Sequence, residues 1–357
     1  MPNIKEYSVE ELHALFAGLG QKPYRAKQVI RWLYGRGVRS FDEMTDLSEE
    51  LRSKLSESFS LNSPELADVR TSSDGTTKYL WRYNDGNTVE SVLLKYRYGT
   101  SVCVSTQAGC RMGCKFCASP EVGFARNLTA SEILDQVLFA QLQSGTPIGR
   151  IDLMGIGEPL DNFDNVTRFI ALVRDPLFSP GGRAKGSAPG LNIGMRHITV
   201  STCGLVPQID RFADLAIPCN LSVSLHAPDD ETRSVLMPVN NRYSISELMD
   251  CCERYYSKLN RRITFQYALI AGVNDSPEQA RLLAGLMRKV SGHVNLIHLN
   301  DTGNGFRAGD DRTFGATLLE HGATVTTRRS LGADIDAACG MLRRRTIEKG
   351  QREVATE

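Results

Sequence analysis

Two rhythms divide the chain. Over roughly the first 60 residues, apolar positions recur at the three- and four-residue spacing of amphipathic helices. In "SVEELHALFAGLG", Ser8 stands as an N-cap, Glu11 completes a capping box and Gly20 lies near the end. "YRAKQVIRWLYGRG" places Ala26, Val29, Ile30, Trp32 and Leu33 largely on one face, and "LSEELRSKLSESF" keeps the same period. Near residue 65 the pattern shortens to β-like alternation, and "KYLWRYN" with "TVESVLLKYR" reads as a hairpin. From about residue 100, apolar runs alternate with helical stretches. The strand candidates are "SVCVST", "IDLMGI", "HITVST", "NLSVSLH", "ITFQYALI" and "VNLIHLN". Between them, capping boxes at Thr129–Glu132, Ser244–Glu247 and Ser276–Gln279 open helices, the last with Pro277 at its first position. Six strand–helix units in succession predict an α/β fold, a partial (β/α)6 barrel that stays open because closure takes eight. A doubly wound open sheet satisfies the same periodicity. The Gly/Pro/Ser-rich stretch "SPGGRAKGSAPG" (179–190) reads as a surface loop.

Composition narrows the function classes. The 357 residues carry a formal charge of only +1, so no global positive field advertises nucleic acid, and any such contact must be local. No apolar run reaches bilayer-spanning length. The opening "MPNIKEYSVEELHALF" lacks the apolar core of a secretory signal, so the cytoplasm is the expected compartment. Nine cysteines in a reducing compartment are not expected to form structural disulfides. Cys203, Cys219, Cys251 and Cys252 fall in apolar runs and read as small buried hydrophobes.

"CRMGCKFC" is different. Cys110, Cys114 and Cys117 follow the first strand of the alternating series, on a loop facing the common cleft. Three thiolates at this spacing suit zinc or an iron–sulfur cluster. Structural zinc wants four ligands, and with no second cysteine pair only His226 or His298 is on hand to complete the set. That alternative describes a zinc-stabilised RNA-binding protein without catalysis. Polar residues at later strand ends also face the cleft. "MGIGEPL" supplies Gly157, which lets backbone approach a ligand, and Glu158, which can accept from an ammonium group. Ser201, the run Ser224, Leu225 and His226, and Asn300 end further strands.

C-x3-C-x2-C with Phe116 before its last cysteine resembles the motif of the radical S-adenosylmethionine superfamily. That resemblance implies a [4Fe–4S] cluster on three cysteines, whose remaining iron chelates the amino and carboxylate groups of S-adenosylmethionine. The chelated cofactor is then cleaved to a 5′-deoxyadenosyl radical. It also implies that Gly157 and Glu158 hold the methionyl amine, with Ser201, Ser224, Leu225, His226 and Asn300 around the cofactor.

A narrower resemblance rests on "CVSTQAGCRMGCKFCAS", "RNLTASEILDQV", "MGIGEPLDNFDNV", "NIGMRHITVSTCG", "SVSLHAPDDETRSVLMPVN" and "GADIDAACG". Together these look like the RlmN/Cfr family of radical adenosine methyltransferases. The resemblance implies methylation of C2 of an adenosine in 23S rRNA and of one in the anticodon loop of tRNA. A C8-methylating, antibiotic-resistance branch would keep the same cysteines. Two S-adenosylmethionine molecules are spent per turnover. Cys339 takes a methyl group from the first, and the radical from the second activates that S-methyl group to form a thioether with RNA. Cys103 resolves the adduct through a transient disulfide with Cys339. Glu90 matches an acidic position that is a candidate proton acceptor, with an exposed strand glutamate as the alternative. The target base must be flipped out of its stack. "YRAKQVIRWLYGR" and "MLRRRTIEKGQR" offer basic residues for RNA. A small-protein electron donor such as flavodoxin or ferredoxin and a monomeric state are also implied. The corresponding organisation is an N-terminal helical, RNA-binding-like domain over 1–62, a β-hairpin extension over 63–98, the barrel over 99–345 and a tail over 346–357.

Overall fold

The computed structural model describes residues 1–174, 191, 193–299, 303–335 and 341–342. Cys339, Asn300, the 179–190 stretch and nearly all of "MLRRRTIEKGQR" therefore lie outside the described residues. Three helices begin the chain. In α1 (Val9–Gly18) the Ser8 hydroxyl accepts from the Glu11 N–H, and the Glu11 carboxylate accepts from the Ser8 N–H at 2.6 Å, closing the expected box. The second helix departs from its regular reading. α2 (Pro23–Ile30) widens into a π-helical turn over Arg31–Arg36, ended by Gly37 at φ 61°. Trp32, Leu33 and Tyr34 are buried in succession along this wider turn. α3 (Glu49–Ser58) buries Leu51 and Leu55.

This module docks on α4 (Ala130–Ser144). Lys5 Nζ reaches both oxygens of Asp135 at 2.7 and 2.6 Å in a fully enclosed ion pair, and the Glu6 carboxylate accepts from the Ser131 N–H.

Next come three antiparallel strands, β1 (Glu65–Thr71), β2 (Thr77–Arg82) and β3 (Thr88–Tyr96). The expected hairpin is β2–β3; β1 extends it, half-exposed and without an apolar run to announce it. β3 then pairs antiparallel with β4 (Gly99–Cys103), setting Val92 opposite Cys103, so extension and barrel share one sheet. A two-stranded ribbon, β5 (Gln107–Ala108) and β6 (Arg126–Asn127), flanks the cysteine loop.

From β4 the sheet is parallel: β7 (Ile148–Leu153), β8 (Ile198–Thr202), β9 (Asn220–Ser224), β10 (Thr264–Leu269), β11 (His293–His298) and β12 (Thr324–Thr327). The connections carry α5 (Phe163–Arg174), α6 (Val206–Asp214), α7 (Asp230–Leu236), α8 (Ile245–Leu259), α9 (Pro277–Val290) and α10 (Asp311–Glu320). The six expected parallel strands are present and β12 adds a seventh. Strand order follows chain order from β1 to β12. A doubly wound sheet must reverse its order at a switch point, so the rival architecture is excluded and the partial barrel stands.

Strand side chains alternate between two faces. Val102, Ile151, Val200, Val223, Phe265 and Val294 point outward into the core under the helices. Between them, the concave face carries a polar ladder. Gln266 Nε2 donates to Ser222 Oγ, Asn295 Nδ2 to Gln266 Oε1, and Thr326 Oγ1 to Asn295 Oδ1, at 2.8, 2.8 and 3.1 Å. That face is built for water and ligand rather than for packing. Among the described residues no helix is long and apolar enough to cross a membrane.

Candidate active site in the mouth of the barrel

A cavity of about 560 Å³ opens where the parallel strands end. Its wall brings together Cys103, Cys110, Cys114, Cys117, Gly157, Glu158, Ser201, Ser224 and His226, nine of the residues singled out from the sequence. The cysteine loop is fixed at both ends. At Gly109 (φ 93°) a β-carbon would meet the Gly123 carbonyl at 1.8 Å, so only glycine lets the loop close there. Further on, the Lys115 N–H donates to the Leu236 carbonyl, and the Phe116 ring stands edge-on to His226 with centroids 4.6 Å apart. Burial pushes the Cys110 thiol up to about 12 and Cys114 higher still; the neighbouring thiolates and Glu158 add to the rise, and Arg233 offsets part of it at Cys114. Thiols whose ionisation is opposed by burial and by one another form a donor set that a bound metal centre, with its positive charge, would stabilise.

Zinc fits this wall poorly. His226 adopts a left-handed backbone (φ 56°), and its Nδ1 accepts from the Ala268 N–H at 2.9 Å. Burial lowers its pKa to about 3, so the ring is neutral and its Nε2 carries the hydrogen. Among the described residues, no three His, Cys, Asp or Glu side chains converge as ligands of a single ion.

Glu158 is buried and doubly engaged. Oε1 accepts from the Leu160 N–H at 3.1 Å and Oε2 from the Cys203 N–H at 2.7 Å, while burial raises its pKa. The Thr202 and Cys203 side chains bond to it as well, and its place in the cavity wall sets this carboxylate where a ligand ammonium could meet it. Gly157, at φ 107°, packs against Gln107, whose amide oxygen accepts from the Glu158 N–H at 2.8 Å. Leu225 does not line the cavity. It stands between Ser224 and His226 in an alternating run and buries its side chain in the main core.

Glu90 is not the exposed strand residue of the alternative reading. It is 2% exposed and pairs with Lys78 Nζ at 2.9 Å. It also shares a face of β3 with Val92 and Leu94, both of which line the cavity.

Two contributors carried no sequence signal. Gln107 links Glu158 to Asn127 and Asp161. Arg233, wholly buried, donates to the carbonyls of Cys203, Ser224 and Leu225 and to Asn240 Oδ1. It ties the ends of β8 and β9 together beneath the cavity. The remaining wall, Arg328 to Ala333, is fastened to the β1–β2 turn, where Asp74 accepts from the Gly332 N–H at 2.8 Å.

Known proteins resemble this chain along nearly its whole length. The family model described as the ribosomal RNA large subunit methyltransferase N-terminal domain matches residues 2–61, and the radical SAM superfamily model matches residues 104–284. A probable dual-specificity RNA methyltransferase RlmN of Clostridium perfringens strain SM101 is 48% identical over 353 residues, 98% of each chain. The chain belongs to the RlmN family. Another RlmN relative, from Desulforamulus reducens, is 47% identical over 97% of each chain. Among solved structures, a radical SAM methyltransferase from Sphaerobacter thermophilus superposes with a TM-score of 0.87 at 40% identity, covering 96% of this chain and 99% of its own. As an RlmN-type protein the chain is a radical SAM RNA methyltransferase, and superfamily membership brings S-adenosylmethionine and a [4Fe–4S] cluster with it.

Proposed function

We propose that the enzyme methylates C2 of an adenosine in 23S rRNA and of an anticodon-loop adenosine in tRNA, in the cytoplasm, with Cys339 as methyl carrier. The observation that supports this most is the position of Cys103, in the same cavity wall as Cys110, Cys114 and Cys117. Met341, two positions along from Cys339, lines that wall too. Cys110, Cys114 and Cys117 would hold the cluster, and Glu158, Ser201, Ser224 and His226 the cofactor. When bound, the cluster and S-adenosylmethionine supply the carbon radical that an electron-poor adenine C2 requires.

The protein's own groups do the rest. Cys339 carries the methyl group and becomes joined to the base as a thioether. Glu90, held by Lys78 on the face that continues the cavity wall, accepts the ring proton. The Cys103 thiolate attacks the Cys339 sulfur, the methylene carbon keeps the bonding pair and takes a proton, and a Cys103–Cys339 disulfide remains for an external thiol to reduce. Two S-adenosylmethionine molecules are consumed, one for the methyl group and one for the radical. A small electron-transfer protein serves a monomeric enzyme in which residues 1–62 assist RNA binding.

The test is mass spectrometry of nuclease-digested RNA from a strain lacking the gene. Loss of 2-methyladenosine, restored by the wild-type gene but not by Cys339→Ala, is expected. An unchanged 2-methyladenosine level refutes the assignment, and loss of 8-methyladenosine instead moves the enzyme to the C8 branch.

A further inference from the structure

A second cavity of about 440 Å³ lies against the concave face of the sheet, beside the first. It shares Tyr96, Met154, Gln266, Arg328 and Arg329 with the first, so the two adjoin on the concave face, with Arg328 Nη1 resting on Met154 Sδ at 3.7 Å between them. Tyr96 and Tyr98 stack with centroids 5.0 Å apart and planes 6° from parallel, and Tyr98 is 67% exposed. The Arg150 guanidinium lies over the Tyr98 ring at 4.9 Å. Arg97, Arg328 and Arg329 complete a basic rim in a chain whose net charge is only +1. The lining carboxylate, Asp152, is occupied by the Ser101 hydroxyl at 2.6 Å. Among the described residues, Arg97, Arg150 and Arg329 pair with no carboxylate.

We propose that this rim is an RNA-docking surface: a base next to the target adenosine takes the place of the Arg150 guanidinium on the Tyr98 ring, and Arg97, Arg150 and Arg329 neutralise the flanking phosphates. The inference rests on RNA being the substrate and adds where the strand lies. Guanidinium groups alone would suit an acidic protein equally well. The paired aromatic faces favour nucleic acid, because every base presents a π-face and stacking tolerates any sequence.

The experiment uses full-length, cluster-loaded enzyme and a fluorescein-labelled anticodon stem–loop RNA, followed by anisotropy across a salt series. Tyr98→Ala is expected to weaken binding about tenfold, the lower part of the range for losing one base stack. Arg97→Gln and Arg150→Gln should each flatten the slope of log affinity against log salt by about 0.7. Tyr98→Phe, which keeps the ring, should restore the affinity. Melting temperature and iron content check that every variant is folded. Unchanged affinity and slope in Tyr98→Ala and both arginine variants overturn the proposal. So does intact RNA binding combined with slower reduction by a protein electron donor, which would make the rim a protein-docking site. Failure of the wild-type enzyme to bind any RNA would instead sink the proposed function.

Discussion

The enclosed pair between Lys5 and Asp135 gives the sharpest test of how the helical module is attached. Their side chains are 2% and 1% exposed. Burial pushes the Asp135 carboxyl from 3.8 up to about 6, with Lys5 offsetting only part of the rise. A carboxyl raised in the folded state favours folding where it is protonated. Its contribution is therefore complete below about pH 4 and lost as pH climbs through 6; the full span corresponds to about 3 kcal/mol. Lys5→Met keeps the length of the side chain but strips away the ammonium, stranding a buried carboxylate. Breaking such a pair from one side costs about 3–5 kcal/mol, and this is the loss expected at pH 8. At pH 5 the stranded carboxyl takes up a proton, and the cost should shrink to that of a hydrogen bond, about 1 kcal/mol. The double variant Lys5→Met/Asp135→Leu should recover most of the loss, because an apolar pair of similar volume replaces a buried ion pair nearly neutrally. Urea denaturation at the two pH values measures all three. An equal cost for Lys5→Met at pH 5 and pH 8, or one under about 1 kcal/mol at pH 8, would refute the reasoning.

Three further outcomes follow from contacts around the cavity. Gly155→Ala sets a β-carbon 2.7 Å from the backbone of Val104 and Ser105, so the end of β4 must move; calorimetry should show S-adenosylmethionine affinity falling at least about tenfold. Arg233→Met orphans three strand-end carbonyls and should cost about 3 kcal/mol or more by denaturant titration, whereas a loss under about 1 kcal/mol would mean that the clamp is dispensable. Asp74→Ala releases the Gly332 N–H, and hydrogen exchange should become faster across residues 331–335 while β8 and β9 stay protected.

Much of this architecture was legible where local chemistry and tertiary role coincide. The capping boxes at Ser8, Thr129, Ser244 and Ser276 formed as read because a cap depends on only a few neighbouring residues. The six strand runs were visible because their outward faces enter one core. β12 was not, since three of its four residues are exposed and no apolar alternation marks it. The π turn at Arg31–Arg36 needed tertiary knowledge, because burial of three consecutive side chains is a property of what packs over them. At the site, the cysteine loop and the Gly157–Glu158 element were readable from spacing. Leu225 faces the core for a reason that period-two alternation already contained, lying between two cavity-facing neighbours. Arg233 could not be found this way. It acts on a carbonyl 30 residues away, and its helix alone gives no reason for a buried guanidinium.

The fastening of residues 332–334 to the β1–β2 turn bears on the order in which the enzyme comes into being. Every strand of the sheet leaves the ribosome before the stretch that closes the chamber, and Met341 emerges later still. A nascent chain can thus complete its scaffold, and even gather iron on the cysteine loop, while one side of the chamber is still missing. The cavity gains its Arg328–Ala333 wall and Met341 only after the whole sheet has been synthesised.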